Sequence, residues 1–214
     1  MDVAIIGGHG KIALRLTHLL SERGDHVRSI IRKAEQSDDI TEVGGEPVVC
    51  DIEAADPKDL ASAVGRVDAC VFSAGAGPGS GAERKETVDY GGAVKLIEAA
   101  KIAGIDRYVM ISAIGADANA AGDDVFAIYL RAKGRADEAL INSGLDYTVV
   151  RPVGLTDDPG DGRVHIAEKV KRGKVPREDV AAVVAAVLHE PQTIKKAFDV
   201  TDGDDPVEEA VRSL

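Results

Sequence analysis

Tyr129 and Lys133 are spaced for proton transfer, because they lie four positions apart in a segment with helical periodicity. Residues at this spacing stack on one face of a helix. A free tyrosine has a pKa of about 10 and is a poor acid at neutral pH, whereas a neighbouring ammonium lowers that pKa. Ser112 follows a predicted strand and would hold a substrate oxygen beside the tyrosine hydroxyl. These side chains predict proton transfer to or from a carbonyl or an alcohol.

The same pair has a simpler interpretation, since most tyrosine–lysine pairs on helices are surface contacts without chemistry. A catalytic site is favoured by the order of the motifs, in which a glycine turn is followed by the strand-end serine and then by the pair. In open α/β sheets, ligands collect at the carboxyl ends of the strands. We therefore predict that Ser112, Tyr129 and Lys133 form the catalytic group.

The element that would position this group is DVAIIGGHGKIA, residues 2–13. Residues 3–6 form an apolar run that is too short for a helix and predicts a strand buried on both faces. Gly7 would allow a tight turn, Gly10 would let the backbone approach a pyrophosphate, and Ala13 would permit close packing of the next helix. The spacing departs from the G-x-G-x-x-G fingerprint. Its place between a buried strand and an amphipathic helix nevertheless predicts a dinucleotide site at the helix start.

The end of the second predicted strand, residues 26–31, bears on the choice of nucleotide. It stops at Arg32 and Lys33. An NAD-binding unit normally has an acidic residue here that bonds the ribose hydroxyls, whereas an arginine suits a 2′-phosphate. The residues favour NADP over NAD, and a solvated pair of charges at a strand end is the alternative. Asp51 ends the third strand, where it could contact a ligand or only cap a helix.

Charge and cysteine usage restrict the class of protein. The chain has 214 residues, with 26 basic and 37 acidic side chains and a net charge of −11. The absence of a basic stripe argues against nucleic acid as a partner. Cys50 and Cys70 lie in apolar strand contexts and are expected to be reduced thiols, and no metal-ligand spacing occurs. Without a signal peptide or an apolar run of membrane-spanning length, we expect a cytoplasmic protein that does not bind membranes.

Strand and helix patterns alternate through six rounds, up to Pro152. This alternation predicts an α/β fold with a Rossmann-type doubly wound parallel sheet. Beyond it the pattern loosens into an acidic, glycine-rich loop at residues 156–162 and one or two short strands within residues 163–175. We predict a single NAD(P)-binding domain over residues 1–214, in which residues 151–214 contribute a small C-terminal substrate-pocket region.

Seven segments carry a resemblance to a known family: GGHGKIA, SIIRK, CDIE, FSAGAG, MISAIGA, YLRAKGRADEALINSGLDYTVVRPVGL and VPREDVAAVV. With these, the chain resembles an atypical short-chain dehydrogenase/reductase, of the NAD(P)-binding branch related to NmrA-like proteins and to NAD-dependent epimerases and dehydratases. The resemblance covers nearly the whole chain and implies the fold and NADP binding. The larger substrate regions of the sugar epimerases have no counterpart in residues 151–214, which argues against a nucleotide-sugar substrate.

The resemblance also implies residues for each part of the cofactor. The pyrophosphate would be lined by Gly7, His9, Gly10, Lys11 and Ile12. The other contacts would be Arg32 at the 2′-phosphate, Asp51 and Ile52 at the adenine, Ala74 and Gly75 on the adenosine side, Lys133 at the nicotinamide ribose, and Pro152 and Val153 against the nicotinamide. Ser112 and Tyr129 would be catalytic.

Two functions are consistent with these features. The first is an NADP(H)-dependent oxidoreductase that reduces a small carbonyl or quinone-like substrate, with Tyr129 as proton donor and Lys133 lowering its pKa. The second is an NADP-binding sensor of NmrA-like type that acts through a protein partner. An intact set of Ser112, Tyr129 and Lys133 favours the enzyme, because a sensor needs no proton donor. A scaffold that binds no ligand is the third alternative, and the sequence does not predict the oligomeric state.

Overall fold

The structure, a computed structural model, describes residues 1–77 and 79–214. The strands are β1 Asp2–Ile6, β2 His26–Ile31, β3 Glu46–Val49, β4 Ala69–Phe72, β5 Arg107–Ile111, β6 Asp146–Pro152, β7 Gly154–Thr156, β8 Arg163–Ala167, β9 Lys174–Pro176, β10 Lys196–Asp202 and β11 Asp205–Pro206. The helices are α1 Lys11–Glu22, α2 Ser37–Glu42, α3 Pro57–Val64, α4 Ala82–Arg84, α5 Gly91–Ala103, α6 Val125–Ile141, α7 Arg177–His189 and α8 Val207–Arg212. Short 3₁₀ turns occur at Ala34–Gln36 and Pro191–Thr193, and a π-helical turn at Lys85–Tyr90.

The main sheet has the order β11-β8-β10-β6-β5-β4-β1-β2-β3. From β10 to β3 every neighbouring pair is parallel, and β8 and β11 extend the β10 edge in antiparallel pairing. The strand order reverses between β1 and β4, the position at which ligands bind in sheets of this type. The predicted Rossmann-type doubly wound α/β fold is confirmed.

Alternate side chains of β1 pack into two cores on opposite faces of the sheet. Val3 and Ile5 face the core formed with α1, α7 and α8, whereas Ala4 and Ile6 face the core formed with α3, α5 and α6. All four are at most 1% exposed. A strand covered by helices on both faces needs a continuous apolar run, which explains why this segment shows no polar alternation.

The helix after β4 differs from its expected form. The pattern predicts one helix over residues 87–103, but helical structure begins at Ala82 and passes through the π-helical turn before α5. Gly91 and Gly92 follow this turn. Glycine is a weak helix former, so these two positions oppose the change between π-helical and α-helical hydrogen bonding less than other residues would. The π-turn places Lys85 and Asp89 at the crevice between β1 and β4, as described below.

Residues 151–214 contribute mostly to the core on the α1 face. Residues of α7 and α8, including Val183, Val184 and Val211, share one apolar cluster with Leu16 and Leu20 of α1. The expected short strands within 163–175 are β8 and β9, of which β9 pairs with β7 in a separate two-stranded sheet. No helix among the described residues has the length and apolar character needed to cross a bilayer.

Candidate active site

The turn after β1 is held tightly between β2 and the end of β4. The backbone N–H groups of Gly7 and Gly8 both donate to the Ile30 carbonyl, at 3.2 and 3.0 Å. Gly7 has a φ of +79°, and a Cβ there would lie 2.6 Å from Cα of Ala74. Only glycine combines this left-handed backbone with such a close approach. The turn is therefore fixed in space relative to the loop that follows β4.

Helix α1 begins at this turn with an open N-terminus. Gly10 is its N-cap residue, no side chain of the described part of the chain caps the first turn, and that turn contains no acidic residue. A helix start with unpaired N–H groups is suited to bind phosphate oxygens, which would also interact favourably with the helix dipole. Gly10 lines both clefts described below. This geometry fits a pyrophosphate, as the sequence predicts.

The smaller cleft, of about 270 Å³, lies between the ends of β1, β2 and β3. Its lining includes the predicted cofactor residues Gly7, His9, Gly10, Arg32, Asp51, Ile52, Ala74 and Gly75. Arg84 donates to Glu53 at 2.7 Å, and Arg32 lies 4.0 Å from the same carboxylate. The hydrogen bond from Arg84 is the main reason why the pKa of Glu53 is lowered. Two guanidinium groups thus share one carboxylate at the end of the cleft that would hold the adenosine.

The larger cleft, of about 750 Å³, continues from Gly10 toward α6. It is lined by Ser112, Tyr129 and Lys133, which the sequence predicts as the catalytic group, and by Lys11 and Ile12 of α1. Ser112 directly follows β5, while Tyr129 and Lys133 lie one turn apart on α6. The structure therefore brings the three predicted catalytic side chains together in one cleft.

Lys133 is buried, and its ammonium is held by two groups. It donates to the Ile111 carbonyl at 3.2 Å and forms an ion pair with Asp89 at 3.4 Å. Asp89 also accepts from the Ala76 backbone N–H at 3.2 Å, so the same carboxylate ties the loop after β4 to α6. These two contacts hold the Lys133 ammonium in one position within the cleft.

The pKa of Tyr129 is raised above 10.0, the ordinary value for a tyrosine. Burial is the largest cause, and the charge of Lys133 lowers the pKa without compensating for it. The predicted direction of the lysine effect is therefore right, but the net shift is opposite to the expectation. The phenol is consequently protonated at neutral pH, which is the form that donates a proton.

Behind Ser112 lies a buried carboxylate that the sequence analysis does not identify. Asp137 is one further turn along α6 from Lys133, and its Oδ2 accepts from Arg151 Nε at 2.8 Å. Burial raises the pKa of Asp137, and the Arg151 charge and the nearby Ser112 hydroxyl counteract this. Among the described residues, the buried Ser112 Oγ has no hydrogen-bond partner of good geometry.

The remaining predicted cofactor residues occupy mixed positions. His9 contacts Asp39 at 2.6 Å beside the smaller cleft, and Lys11 pairs with Asp157 at 2.5 Å. Pro152 and Val153 are buried at the end of β6 and are not among the lining residues of either cleft. Their contact with the nicotinamide stays a prediction, and the neighbouring Leu155 lines the larger cleft.

Several lining residues are absent from the prediction: Gln36, Glu53, Arg84, Lys85, Asp89, Phe126, Leu155 and Arg177. Most follow no strand directly, so the rule that ligands collect at strand ends does not find them. Lys85 and Asp89 depend on the π-turn, which no local sequence signal predicts. The composition of the acidic loop at residues 156–162 does set it apart in the sequence. Its Asp157 pairs with both Lys11 and Arg177, which line the larger cleft.

A glycine turn at the switch point, an open helix N-terminus and a crevice on either side of it define a Rossmann-type dinucleotide-binding protein. The chain matches the family model for NAD(P)H-binding over residues 7–191 and belongs to that family. It is similar to the uncharacterized sugar epimerase YhfK of Bacillus subtilis, with 41% identity over 215 residues and 100% of both chains covered.

Two solved structures extend the comparison. A protein from Bacillus halodurans, provisionally named an NAD-dependent epimerase/dehydratase, superposes with a TM-score of 0.93 at 35% identity, covering 100% of each chain. The oxidoreductase ylbE from Lactococcus lactis superposes with a TM-score of 0.87 at 27% identity, covering 100% of this chain and 96% of its own. The predicted relationship to NAD(P)-binding, epimerase-related proteins is thereby confirmed.

Proposed function

We propose that the protein is an NADP(H)-dependent oxidoreductase that reduces a small carbonyl or quinone-like compound. The observation that carries this proposal is that Ser112, Tyr129 and Lys133 line one cleft, which continues to the glycine turn at Gly10. Carbonyl reduction needs a proton donor next to a dinucleotide site, because the hydride and the proton are added to neighbouring atoms.

Each catalytic side chain has a distinct role in this proposal. NADPH held at the glycine turn would supply the hydride for the carbonyl carbon. Tyr129 donates its proton to the carbonyl oxygen, and the burial that raises its pKa keeps it protonated until then. Lys133, held by Asp89, stabilises the phenolate that remains. Ser112 donates a hydrogen bond to the same oxygen.

The apolar part of the larger cleft favours a carbonyl compound with an apolar frame over a sugar. Val125, Phe126 and Leu155 form much of its wall on the side of α6 and β7. A sugar placed against these side chains would leave hydroxyl groups without hydrogen-bond partners, at a cost of about 1–3 kcal/mol for each buried group. The name of the Bacillus subtilis relative is therefore not a guide to the substrate proposed here.

We infer NADP rather than NAD as the cofactor from the charges of the smaller cleft. Arg32 and Arg84 both reach the position next to the adenosine end, and Glu53 pairs more closely with Arg84. Arg32 is thus the guanidinium with the weaker internal partner. A 2′-phosphate could bind it with charge-assisted hydrogen bonds.

The proposed reaction is tested by removing the proton donor. Tyr129→Phe should lower NADPH-dependent turnover of aromatic aldehydes and quinones by about 10²- to 10⁴-fold, since general acid catalysis typically supplies this factor. Its dissociation constant for NADPH should stay within about twofold of the parent value, because the hydroxyl is not a proposed cofactor contact. Steady-state kinetics and calorimetric titration give the two quantities for each variant.

Tyr147→Phe is the matched control, because Tyr147 stacks against Lys195 outside both clefts and should affect neither quantity. Lys133→Met should lower turnover and also weaken NADPH binding by about tenfold, since it removes a proposed ribose contact. If Tyr129→Phe retains full turnover, the tyrosine is not the proton donor. The NADP-binding sensor then becomes the better account of the protein.

A further inference from the structure

The larger cleft is positively charged, although the chain has a net charge of −11. Its basic lining residues are Lys11, Lys85, Lys133 and Arg177, and its acidic lining residue is Asp89. Asp157 pairs with Lys11 at 2.5 Å and with Arg177 at 2.8 Å, and Asp89 pairs with Lys133 at 3.4 Å. Within residues 1–77 and 79–214, Lys85 forms no ion pair with a carboxylate.

Lys85 is nevertheless buried, with 8% of its surface exposed. Its ammonium donates to the Gly77 carbonyl at 2.9 Å and lies 5.4 Å from the centre of the Tyr129 ring. Removing an ammonium from water is costly unless an anion compensates for it. One carbonyl and one aromatic face satisfy only part of this requirement. The Lys85 ammonium can therefore bind an anionic group at the position where a substrate would meet Tyr129.

Another part of the wall of this cleft is apolar and open to solvent. Phe126 and Val125, at the start of α6, are 61% and 47% exposed. The Phe126 ring lies 6.1 Å from the Tyr129 ring, which continues the aromatic surface into the cleft. Exposed aromatic side chains beside a catalytic group are suited to stack on a flat ligand. Charge and apolar surface thus lie within one substrate-sized space.

We propose that the substrate bears a carboxylate on a flat apolar frame, and that Lys85 binds this carboxylate. This inference rests on the proposed function, because it concerns the substrate side of the same cleft. The aromatic frame would pack against Phe126 and Val125, with its carbonyl group beside Tyr129. The pyrophosphate would occupy the Gly10 end, where Lys11 lies.

The test compares two non-reacting probes, 2-naphthoate and 2-naphthamide, which have nearly the same shape and differ in charge. Their binding to the NADPH-loaded protein is followed by ligand-observed NMR titration. The carboxylate should bind at least about tenfold more tightly than the amide, as expected for a charge-assisted hydrogen bond in a desolvated site. Equal affinities of the two probes would overturn the proposal.

Lys85→Met isolates the ammonium, since methionine keeps much of the length and apolar volume. The preference for 2-naphthoate should disappear in this variant, and Lys85→Arg should retain it. Lys101→Met is the matched control, because Lys101 is an exposed lysine of α5 outside both clefts. A preference that survives in Lys85→Met, or that is lost equally in Lys101→Met, would contradict the assignment.

Two further measurements separate this inference from other roles of Lys85. The melting temperature of Lys85→Met should equal or exceed that of the parent, because a buried charge without an ion pair is removed. A clearly lower melting temperature would make Lys85 a structural residue. NADPH affinity should be unchanged, and a tenfold loss would assign Lys85 to the cofactor instead.

The probe measurements do not depend on turnover. If Tyr129→Phe is fully active, the proposed proton donor fails while the carboxylate preference can still be measured. If the naphthoate preference is absent but Tyr129→Phe is inactive, the proposed reaction is supported and the proposed class of substrate is refuted. The two failures are therefore distinguishable.

Discussion

Arg32 decides the nucleotide preference in our account of the smaller cleft. Its side chain is 47% exposed and lies 4.0 Å from Glu53, so it can turn toward a 2′-phosphate at little cost. Arg32→Ala should weaken NADP binding by about tenfold or more and leave NAD binding nearly unchanged, because a hydrogen bond between charged groups contributes about 1.5–3 kcal/mol. Calorimetric titration of both nucleotides measures this effect.

Arg66→Ala serves as the control, since Arg66 is exposed and lies outside both clefts. It should leave both affinities as they are. Equal affinity of the parent protein for NAD and NADP would refute the assignment. So would a preference for NADP that persists in Arg32→Ala.

At the residue scale, the sequence predicts side chains that directly follow strands better than those that do not. Ser112 and Asp51 are found because strand ends meet at one edge of a parallel sheet. Tyr129 and Lys133 are found because their spacing puts them on one helix face. Asp137 continues this face but has no individual signal, because its role depends on Arg151 and Ser112 from neighbouring strands. The net pKa shift of Tyr129 depends on burial, which a local pattern does not quantify.

Helix α6, which carries two of the proposed catalytic side chains, makes a close contact with the loop after β5. A Cβ on Gly134 would lie 2.5 Å from the backbone nitrogen of Asp117. The backbone N–H of Asp117 donates to the Leu130 carbonyl at 3.2 Å. Gly134→Ala should therefore push this loop, and Ser112 at its start, away from α6. Overpacking of this kind lowers the free energy of unfolding by about 1–3 kcal/mol. Each kcal/mol lowers the melting temperature by roughly 2–4 °C. Thermal unfolding and carbonyl turnover should both decline.

Gly81→Ala is the comparison variant for this prediction. Among the atoms of residues 1–77 and 79–214, a Cβ at Gly81 would meet none within 4 Å, and the backbone there has a φ of −69°. Its melting temperature should change by no more than the equivalent of about 0.5 kcal/mol. If Gly134→Ala is as stable and as active as Gly81→Ala, the contact does not position the catalytic group.

At the element scale, the sequence predicts regular elements well and their irregular turns poorly. The sequence predicts a strand over residues 107–111 and a helix over residues 177–189, which are the bounds of β5 and α7, because apolar periodicity and flanking glycine, serine or proline residues define them. The π-turn at Lys85–Tyr90 is the main difference. Its extra residue per turn is stabilised by tertiary contacts such as the Asp89–Lys133 ion pair, which no periodicity encodes.

For the whole chain, we propose that residues 1–214 unfold as one unit, as a single domain would. The two cores share the main sheet, and α7 and α8 pack against α1 from the beginning of the chain. Calorimetry should give one transition with equal calorimetric and van't Hoff enthalpies. NADP at about 100 times its dissociation constant should add about 2.7 kcal/mol to the free energy of unfolding. This raises the melting temperature by roughly 5–11 °C.

Two separate transitions would contradict the single unit and divide the chain near residue 151. NAD at the same concentration should produce a smaller shift if its affinity is lower, which gives an independent measure of nucleotide preference. A shift produced equally by adenosine alone would attribute the stabilisation to the smaller cleft and not to the dinucleotide.

The alternation of strands and helices predicts the parallel sheet at the molecular scale, because each helix must return the chain to the same sheet edge. The pairing of β8 and β11 at the far edge is not predicted. These strands are short, and their antiparallel register depends on pairings between segments that are distant in the chain, since β8 pairs with β10 and β11 pairs with β8. The positive character of the larger cleft is also invisible in the net charge, since it arises from four side chains on different elements.

The π-turn at residues 85–90 lets a continuous helix accommodate one additional residue, because its hydrogen bonds span five residues where those of an α-helix span four. Loss of one residue from this turn would restore a regular α-helix and leave α5, with Leu96 and Ile97 in the core, in its place. The change would fall on the side chains of the turn itself, among them Lys85 and Asp89, which line the larger cleft. Variation in the length of this turn would thus alter the lining of the cleft and leave the sheet intact.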